Sequence, residues 1–213
     1  MNGPPPPNPW GDRRRRRVGL LGGSFNPAHA GHRHISLLAL ARLRLDEVWW
    51  MVSPQNPLKP VVGMAPFARR VDLAIRVARH PRIRVTGIEA ALGTRFTADT
   101  VSVLRRRFPR VRFVWLMGDD NLLQIPRWER WLSIFRSVPV AVFARGSYSL
   151  KVLSGLAARR FSHRRAQPRA AGTIAERVPP AWVYLPLRRH AASATEIRRR
   201  MAAEKQRSTP FNG

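Results

Sequence analysis

Two histidines, His29 and His32, sit three residues apart behind a pair of glycines and a proline, in the run Gly22-Gly23-Ser24-Phe25-Asn26-Pro27-Ala28-His29-Ala30-Gly31-His32. An apolar stretch, Val18 to Leu21, precedes the run and reads as a short buried strand; apolar residues at helical spacing, Ile35 to Leu45, follow it. The histidines thus stand at a strand-to-helix turn. At this spacing they point the same way if the first helical turn begins there. Glycines let backbone approach a ligand closely. A helix start offers N–H groups and the positive end of a dipole, which suits phosphate. A Gly-Gly pair alone is a turn, and a histidine alone at a helix start is a cap. Together, after a strand, they form a turn suited to holding negative charge.

Two further segments carry the same kind of chemistry. Ser193-Ala194-Thr195-Glu196-Ile197-Arg198 contains a capping box, which by itself explains Ser193 and Glu196. It does not explain Thr195 and Arg198, three apart on one face near a positive helix end. Hydroxyls, amides and a guanidinium placed there make a second phosphate cradle. The other segment runs from Gly118-Asp119-Asp120 to Pro126-Arg127-Trp128-Glu129-Arg130-Trp131. Gly118 permits close backbone approach at a strand end. Asp120 either accepts hydrogen bonds from a ribose or adenine or caps the following helix. Trp128 and Trp131 form either a structural stripe or a stacking surface for a flat ring.

These residues need a frame that brings them together, and the pattern along the chain supplies one. Strands are expected at 18–21, 47–53, 82–86, 111–117, 138–144 and 182–187. Helices are expected at 35–45, 67–78 and 97–108, and from Ser193 onward. Residues 53–60 form a loop punctuated by three prolines. Residues 162–179, poor in apolar anchors, read as a surface loop. Strands alternating with helices argue for an α/β fold: a Rossmann-like, doubly wound parallel sheet with helices on both faces. Ligands of such sheets bind at the carboxyl ends of the strands, where the strand order reverses. The loops that carry the chemistry all follow strands. The organisation expected is a disordered Pro/Arg-rich tail at 1–16, one domain at 17–204 and a flexible tail at 205–213.

Composition narrows the field without choosing a reaction. The 213 residues suit one domain with a sizeable core. With no cysteine there is neither a disulfide framework nor a Cys metal site. No apolar run reaches the ~18 residues of a membrane span, and the N-terminus lacks a signal-peptide apolar core, so a cytoplasmic location is expected. The net charge of +27 attracts nucleotides and polyphosphates and supports weak, non-specific contact with nucleic acid. The basic residues are spread along the whole chain, as on a generally basic solvated surface. Oligomeric state is not legible.

The glycine–histidine run resembles the G-G-S/T-F-D-P-x-H-x-G-H signature of the nucleotidyltransferase superfamily, specifically of nicotinate-mononucleotide adenylyltransferases. Asn26 stands where that signature has Asp; both residues suit a turn. Ser193 to Arg198 resembles the I-S-S-T-x-I-R signature, with Ala194 replacing a serine. Residues 118–131 are similar to the family's G-x-D … L-P-x-W pattern. Lys59 is similar to the lysine of a P-x-x-x-P-x-K element. Arg95 to Thr100 resembles S-Y-T-x-D-T, with the stretch before it one residue shorter than usual. The resemblance covers about Val18 to Arg200.

It implies transfer of AMP from ATP to nicotinate mononucleotide, giving deamido-NAD and pyrophosphate. His29, His32 and Arg198 are then catalytic. Gly22, Gly23, Ser24, Phe25, Gly118, Asp120, Ser193 and Thr195 bind ATP together with those three. Lys59, Thr97 and Trp128 hold the acceptor, Thr97 through its backbone at the pyridine carboxylate and Trp128 by stacking. Mg²⁺ accompanies ATP, largely water-ligated, with no dedicated protein metal site. Two rivals stay open: a sister nucleotidyltransferase with another phosphate acceptor, and a basic nucleic-acid-binding protein.

Overall fold

The order of strands in the sheet decides where a ligand can bind. The computed structural model describes residues 4–54, 63–144 and 149–186. Seven strands lie in it: β1 Arg16–Gly23, β2 Glu47–Val52, β3 Ile83–Thr86, β4 Val111–Gly118, β5 Val140–Phe143, β6 Arg165–Ala166 and β7 Trp182–Leu185. All pair in parallel in the order β3-β2-β1-β4-β5-β7-β6. The chain winds outward from β1 through β2 to β3, then restarts at β4 on the other side of β1. The reversal falls between β1 and β4, so a crevice opens at their carboxyl ends, beyond Gly23 and Gly118.

Helices cover both faces, as a parallel sheet requires. They are α1 Ala30–Arg42, α2 Phe67–Ala78, α3 Ile88–Leu92, α4 Thr97–Arg107, α5 Asp119–Gln124, α6 Trp131–Ser137, α7 Ser149–Leu153 and α8 Leu156–Arg160. All six residues of β2 are buried. Its neighbouring tryptophans part to opposite faces, as strand geometry demands. Trp50 joins the core under α1 and α2, while Trp49 joins the one under α4 and packs edge-on to Phe108 and Phe113. Glu47, at the amino end of β2, is held by Arg16 and Arg84 from the flanking strands and accepts from Trp49 Nε1 at 3.0 Å. That cluster pins the end of the sheet opposite the crevice.

Two expectations change here. Residues 162–179 are not a bare surface loop: they contain β6 and a 3₁₀ helix at Pro168–Glu176. Ala166, Ala171, Ile174 and Ala175 enter the core under α1. Three of these, Ala171, Ile174 and Ala175, suffice among many arginines because the 3₁₀ turn brings them to one side, while Ala166 enters from β6. Residues 4–15, expected as a disordered tail, lie against the domain. Pro5 and Pro9 carbonyls accept from Arg84 and Arg107, and Arg107 also covers the Trp10 ring at 5.5 Å. Tail prolines thus use carbonyls and an aromatic ring where apolar side chains are scarce. Among the described residues, no helix is long and apolar enough to cross a membrane.

Candidate active site

The β1–α1 turn is built so that its two histidines cap their own helix. His29 is the N-cap of α1, in extended backbone, and its Nδ1 accepts from Gly31 N at 3.1 Å. His32, three residues on, returns the bond: its Nδ1 accepts from His29 N at 3.2 Å. This is the reciprocal capping box, made with imidazoles in place of a hydroxyl and a carboxylate. Its chemical consequence is a fixed tautomer. A ring nitrogen that accepts from a backbone N–H carries no hydrogen, so each neutral ring bears its hydrogen on Nε2. The ring centroids lie 3.9 Å apart, so the two Nε2–H donors belong to one small patch.

The patch is braced from below. Phe25 is buried, takes φ of 47°, and stacks on Trp50 at 5.2 Å while touching the His32 ring at 4.7 Å. Trp50 Nε1 donates to Ser36 Oγ at 2.7 Å, and Ser36 Oγ donates to the His32 carbonyl at 2.8 Å. The first turn of α1 is thereby tied to β2. The left-handed residue of the turn is Phe25, not a glycine. Gly22 has a packing reason instead: a Cβ there would lie 2.7 Å from the Trp115 ring, whereas at Gly23 it would meet Phe25 at an ordinary 3.6 Å.

The turn is also fastened to the segment after β2. Ser53 N donates to Gly23 O at 2.9 Å. Asn26 Nδ2 donates to Gly63 O at 3.1 Å, and its Oδ1 accepts from Ala65 N at 3.2 Å. Beneath them lies Arg70 of α2, buried, donating to the carbonyls of Ser24, Ser53, Pro54 and Ala65. None of these clasps was foreseen. The sign was present for Arg70, which occupies the buried stripe of α2 with Ala74 and Ala78 at four-residue steps.

Across the crevice, Gly118 ends β4 as the N-cap of α5. Asp119 is buried and accepts from Asp120 N at 3.0 Å, whereas Asp120 is exposed at the mouth. Trp128 follows a 3₁₀ turn at Ile125–Arg127 and meets Trp115 edge-on at 6.2 Å. Trp131 turns elsewhere, packing against Phe135 and Phe161. The two tryptophans therefore meet different rings, Trp128 that of Trp115 on β4 and Trp131 those of Phe135 and Phe161. Thr97 opens α4, whose N-cap is Phe96. Arg130 joins the two segments by gripping both oxygens of Asp99 at 2.6 Å. Lys59, Ser193, Thr195 and Arg198 lie outside the described residues, as does the helix expected from Ser193.

One buried acid lies beside this site. Glu89 of α3 is pushed up from its ordinary 4.5 to about 7 by burial, opposed by hydrogen bonds from Ser53 and Thr100. Thr100 Oγ1 lies 3.3 Å from Glu89 Oε1 and 2.9 Å from Thr94 Oγ1. The folded protein holds this proton where the unfolded chain has lost it. The contribution of Glu89 to stability is therefore greatest at acidic pH and falls as pH rises from about 4.5 to about 7, by about 3 kcal/mol at 1.36 kcal/mol per pKa unit. Glu89→Gln keeps the acceptor and removes the titration. Its urea-unfolding free energy is expected to lose this decline; a curve parallel to wild type from pH 5 to 8 would show that Glu89 is ionised in the fold.

The chain is similar to known proteins over most of its length. A cytidylyltransferase-like family model matches residues 20–200. A "probable nicotinate-nucleotide adenylyltransferase" of Cereibacter sphaeroides is 54% identical over 181 residues, 85% of this chain and 95% of that protein. One of the same name from another strain of that species is 58% identical over 181 residues. One from Bradyrhizobium is 50% identical over 182 residues, 85% of this chain and 95% of its own. A solved Plasmodium falciparum nicotinic acid mononucleotide adenylyltransferase complexed with NaAD shares the fold at TM-score 0.61 and 15% identity, covering 87% of this chain and 83% of its own.

Proposed function

The chain belongs to the cytidylyltransferase-like family and, within it, to the nicotinate-nucleotide adenylyltransferases, and we infer from this that it transfers AMP from ATP to nicotinate mononucleotide. The observation that carries the mechanism is the pair of histidines locked as Nε2–H donors at the reversal of the sheet. A phosphate oxygen of the acceptor attacks the α-phosphorus of ATP; the bond to the bridging oxygen breaks, and pyrophosphate leaves as deamido-NAD forms. Transfer at phosphorus needs positioning and charge stabilisation rather than a protein nucleophile. His29 and His32 donate to the α- and β-phosphate oxygens as charge builds on the leaving group. Donors of fixed orientation need no rearrangement at that moment.

The remaining roles follow the same division. Gly23, Ser24 and Phe25 shape the turn around the triphosphate, with Gly118 and Asp120 on the facing strand end. Ser193, Thr195 and Arg198 hold the β- and γ-phosphates. Thr97, Trp128 and Lys59 take the acceptor. Mg²⁺ enters as the counter-ion of ATP; among the described residues no three His, Asp or Glu side chains gather to hold a metal. The basic surface concentrates both anionic substrates, and weak binding of nucleic acid is its by-product. With ATP as donor, the reaction belongs in the cytoplasm.

Pyrophosphate release from MgATP, measured with a panel of acceptor phosphates, tests the reading. Nicotinate mononucleotide is expected to give the fastest release. Faster release with a non-pyridine phosphate would favour the sister-enzyme alternative, and none with any acceptor would remove the catalytic reading.

A further inference from the structure

Arg70 is a cation buried to 1% exposure that makes no ion pair among the described residues. Its partners are four main-chain carbonyls: Ser24 O at 2.6 Å and Ser53 O at 2.8 Å from Nη1, Pro54 O at 2.8 Å from Nη2, and Ala65 O at 3.0 Å from Nε. A buried charge is a poor device for stability alone, since apolar side chains of the same volume often serve as well or better. A planar fork with five donors, however, can fix several backbone segments at once. The segments fixed here are the β1–α1 turn, the exit of β2 and the entry to α2.

Asn26 makes the same connection from the other side. Its amide gives one bond to Gly63 and takes one from Ala65. An aspartate could take the second bond but could not give the first. The departure from Asp at this position is thus matched by a carbonyl that needs a donor. Ser53 N, bound to Gly23 O, adds a third tie between the same two segments.

We propose that Arg70 and Asn26 are positioning residues that hold the turn taking ATP and the connection between β2 and α2 in one relative placement, so that donor and acceptor phosphates meet in line. The proposal rests on the functional reading above, in which Lys59 of that connection meets the acceptor. Neither residue touches substrate. Each half-site keeps its own contacts when the clasp is loosened, but the two halves no longer share one geometry. Misplacement of this kind costs turnover more than binding, up to about 100-fold for a displacement of about 1 Å.

Arg70→Lys keeps the charge but cannot reach three segments. Its kcat, normalised to the protein fraction that binds MgATP by calorimetry, is expected to fall about 10- to 100-fold. The KM for each substrate is expected to stay within about threefold. Arg70→Gly should regain turnover when guanidinium is added at millimolar concentration. Asn26→Ala, at a solvent-facing clasp, should show the same split more mildly, and Asn26→Asp should fall between it and wild type. If the Arg70 variants do not fold, the Asn26 pair decides. A lower melting temperature with kcat unchanged would reduce the clasp to a structural role. A shift in one substrate's KM alone would make it part of one half-site. Either result overturns the proposal. The assay uses whichever acceptor the wild type turns over, so an unexpected acceptor overturns the functional reading and leaves this test intact.

Discussion

Replacing His29 by Asn lowers kcat about 10²–10³-fold, and replacing His32 by Gln does the same, with little change in melting temperature. The choice of substitution follows from the capping box. Asn at an N-cap accepts from the second or third helical N–H, and Gln at the third helical position reaches back to the cap N–H. Each replacement therefore keeps the bond that Nδ1 makes and removes the donor at Nε2. His29→Ala, by contrast, loses both, so its stability should fall by about 1 kcal/mol and its melting temperature by about 2–4 °C. The contrast separates the two jobs of one side chain. The double replacement should cost less than the product of the singles, because both donors stabilise charge on one leaving group. Steady-state pyrophosphate release, with circular dichroism melting alongside, measures all of these. Turnover near wild type in His29→Asn and His32→Gln would mean that the rings serve only as caps.

What the sequence revealed and what it hid divide along a physical line. The strands are short apolar runs whose charges fall only in their first two residues, so their burial is written in composition; α2 and α4 appear where the spacing puts them. The crevice was legible because every chemistry-bearing loop follows a strand, and parallel sheets bind ligands at that end. The capping role of the histidines was partly hidden, since the usual box uses Ser or Thr with Glu or Gln. At Gly22 a glycine records missing volume without saying what fills it, and here the Trp115 ring does. The Arg70 and Asn26 clasps depend on backbone carbonyls from distant segments, and main-chain partners leave no mark on residue type. Glu89 between Ile88 and Ala90 looks like any helix surface acid; only the packing of α3 on the exit of β2 buries it. Residues 162–179 misled through their arginines, whose long stems leave room beneath them for Ala171, Ile174 and Ala175.

The acceptor should be chosen by its charge, with nicotinate mononucleotide preferred over nicotinamide mononucleotide by at least about 10-fold in kcat/KM, and over 100-fold if the pocket is dry. The two acceptors differ at one group, a carboxylate against a carboxamide. Stacking cannot separate them, because both rings are flat and alike in size, so Trp128 has no means of telling them apart. Selection then falls to donors facing the group; the first turn of α4, opening at Thr97, presents backbone N–H groups, whereas in the 3₁₀ turn before Trp128 Pro126 has no N–H and the Trp128 N–H is taken by Ile125 O. The Arg130–Asp99 ion pair ties α4 to the segment carrying Trp128, which would keep the α4 donors in place beside the ring that Trp128 is proposed to stack. A carboxylate satisfies two donors with two oxygens; a carboxamide turns its NH₂ toward one of them and leaves it unpaired. An unpaired buried donor costs about 1–3 kcal/mol, and each 1.4 kcal/mol is tenfold. The positive field of the chain adds to the preference, weakly once salt screens it. Trp128→Ala should therefore weaken both acceptors alike and leave their ratio within about twofold, whereas Asp99→Ala, which frees the two segments, should lower the ratio. Equal kcat/KM for the two acceptors in the unaltered protein would contradict this account, and an unchanged ratio in Asp99→Ala would show that the ion pair does not align the donors.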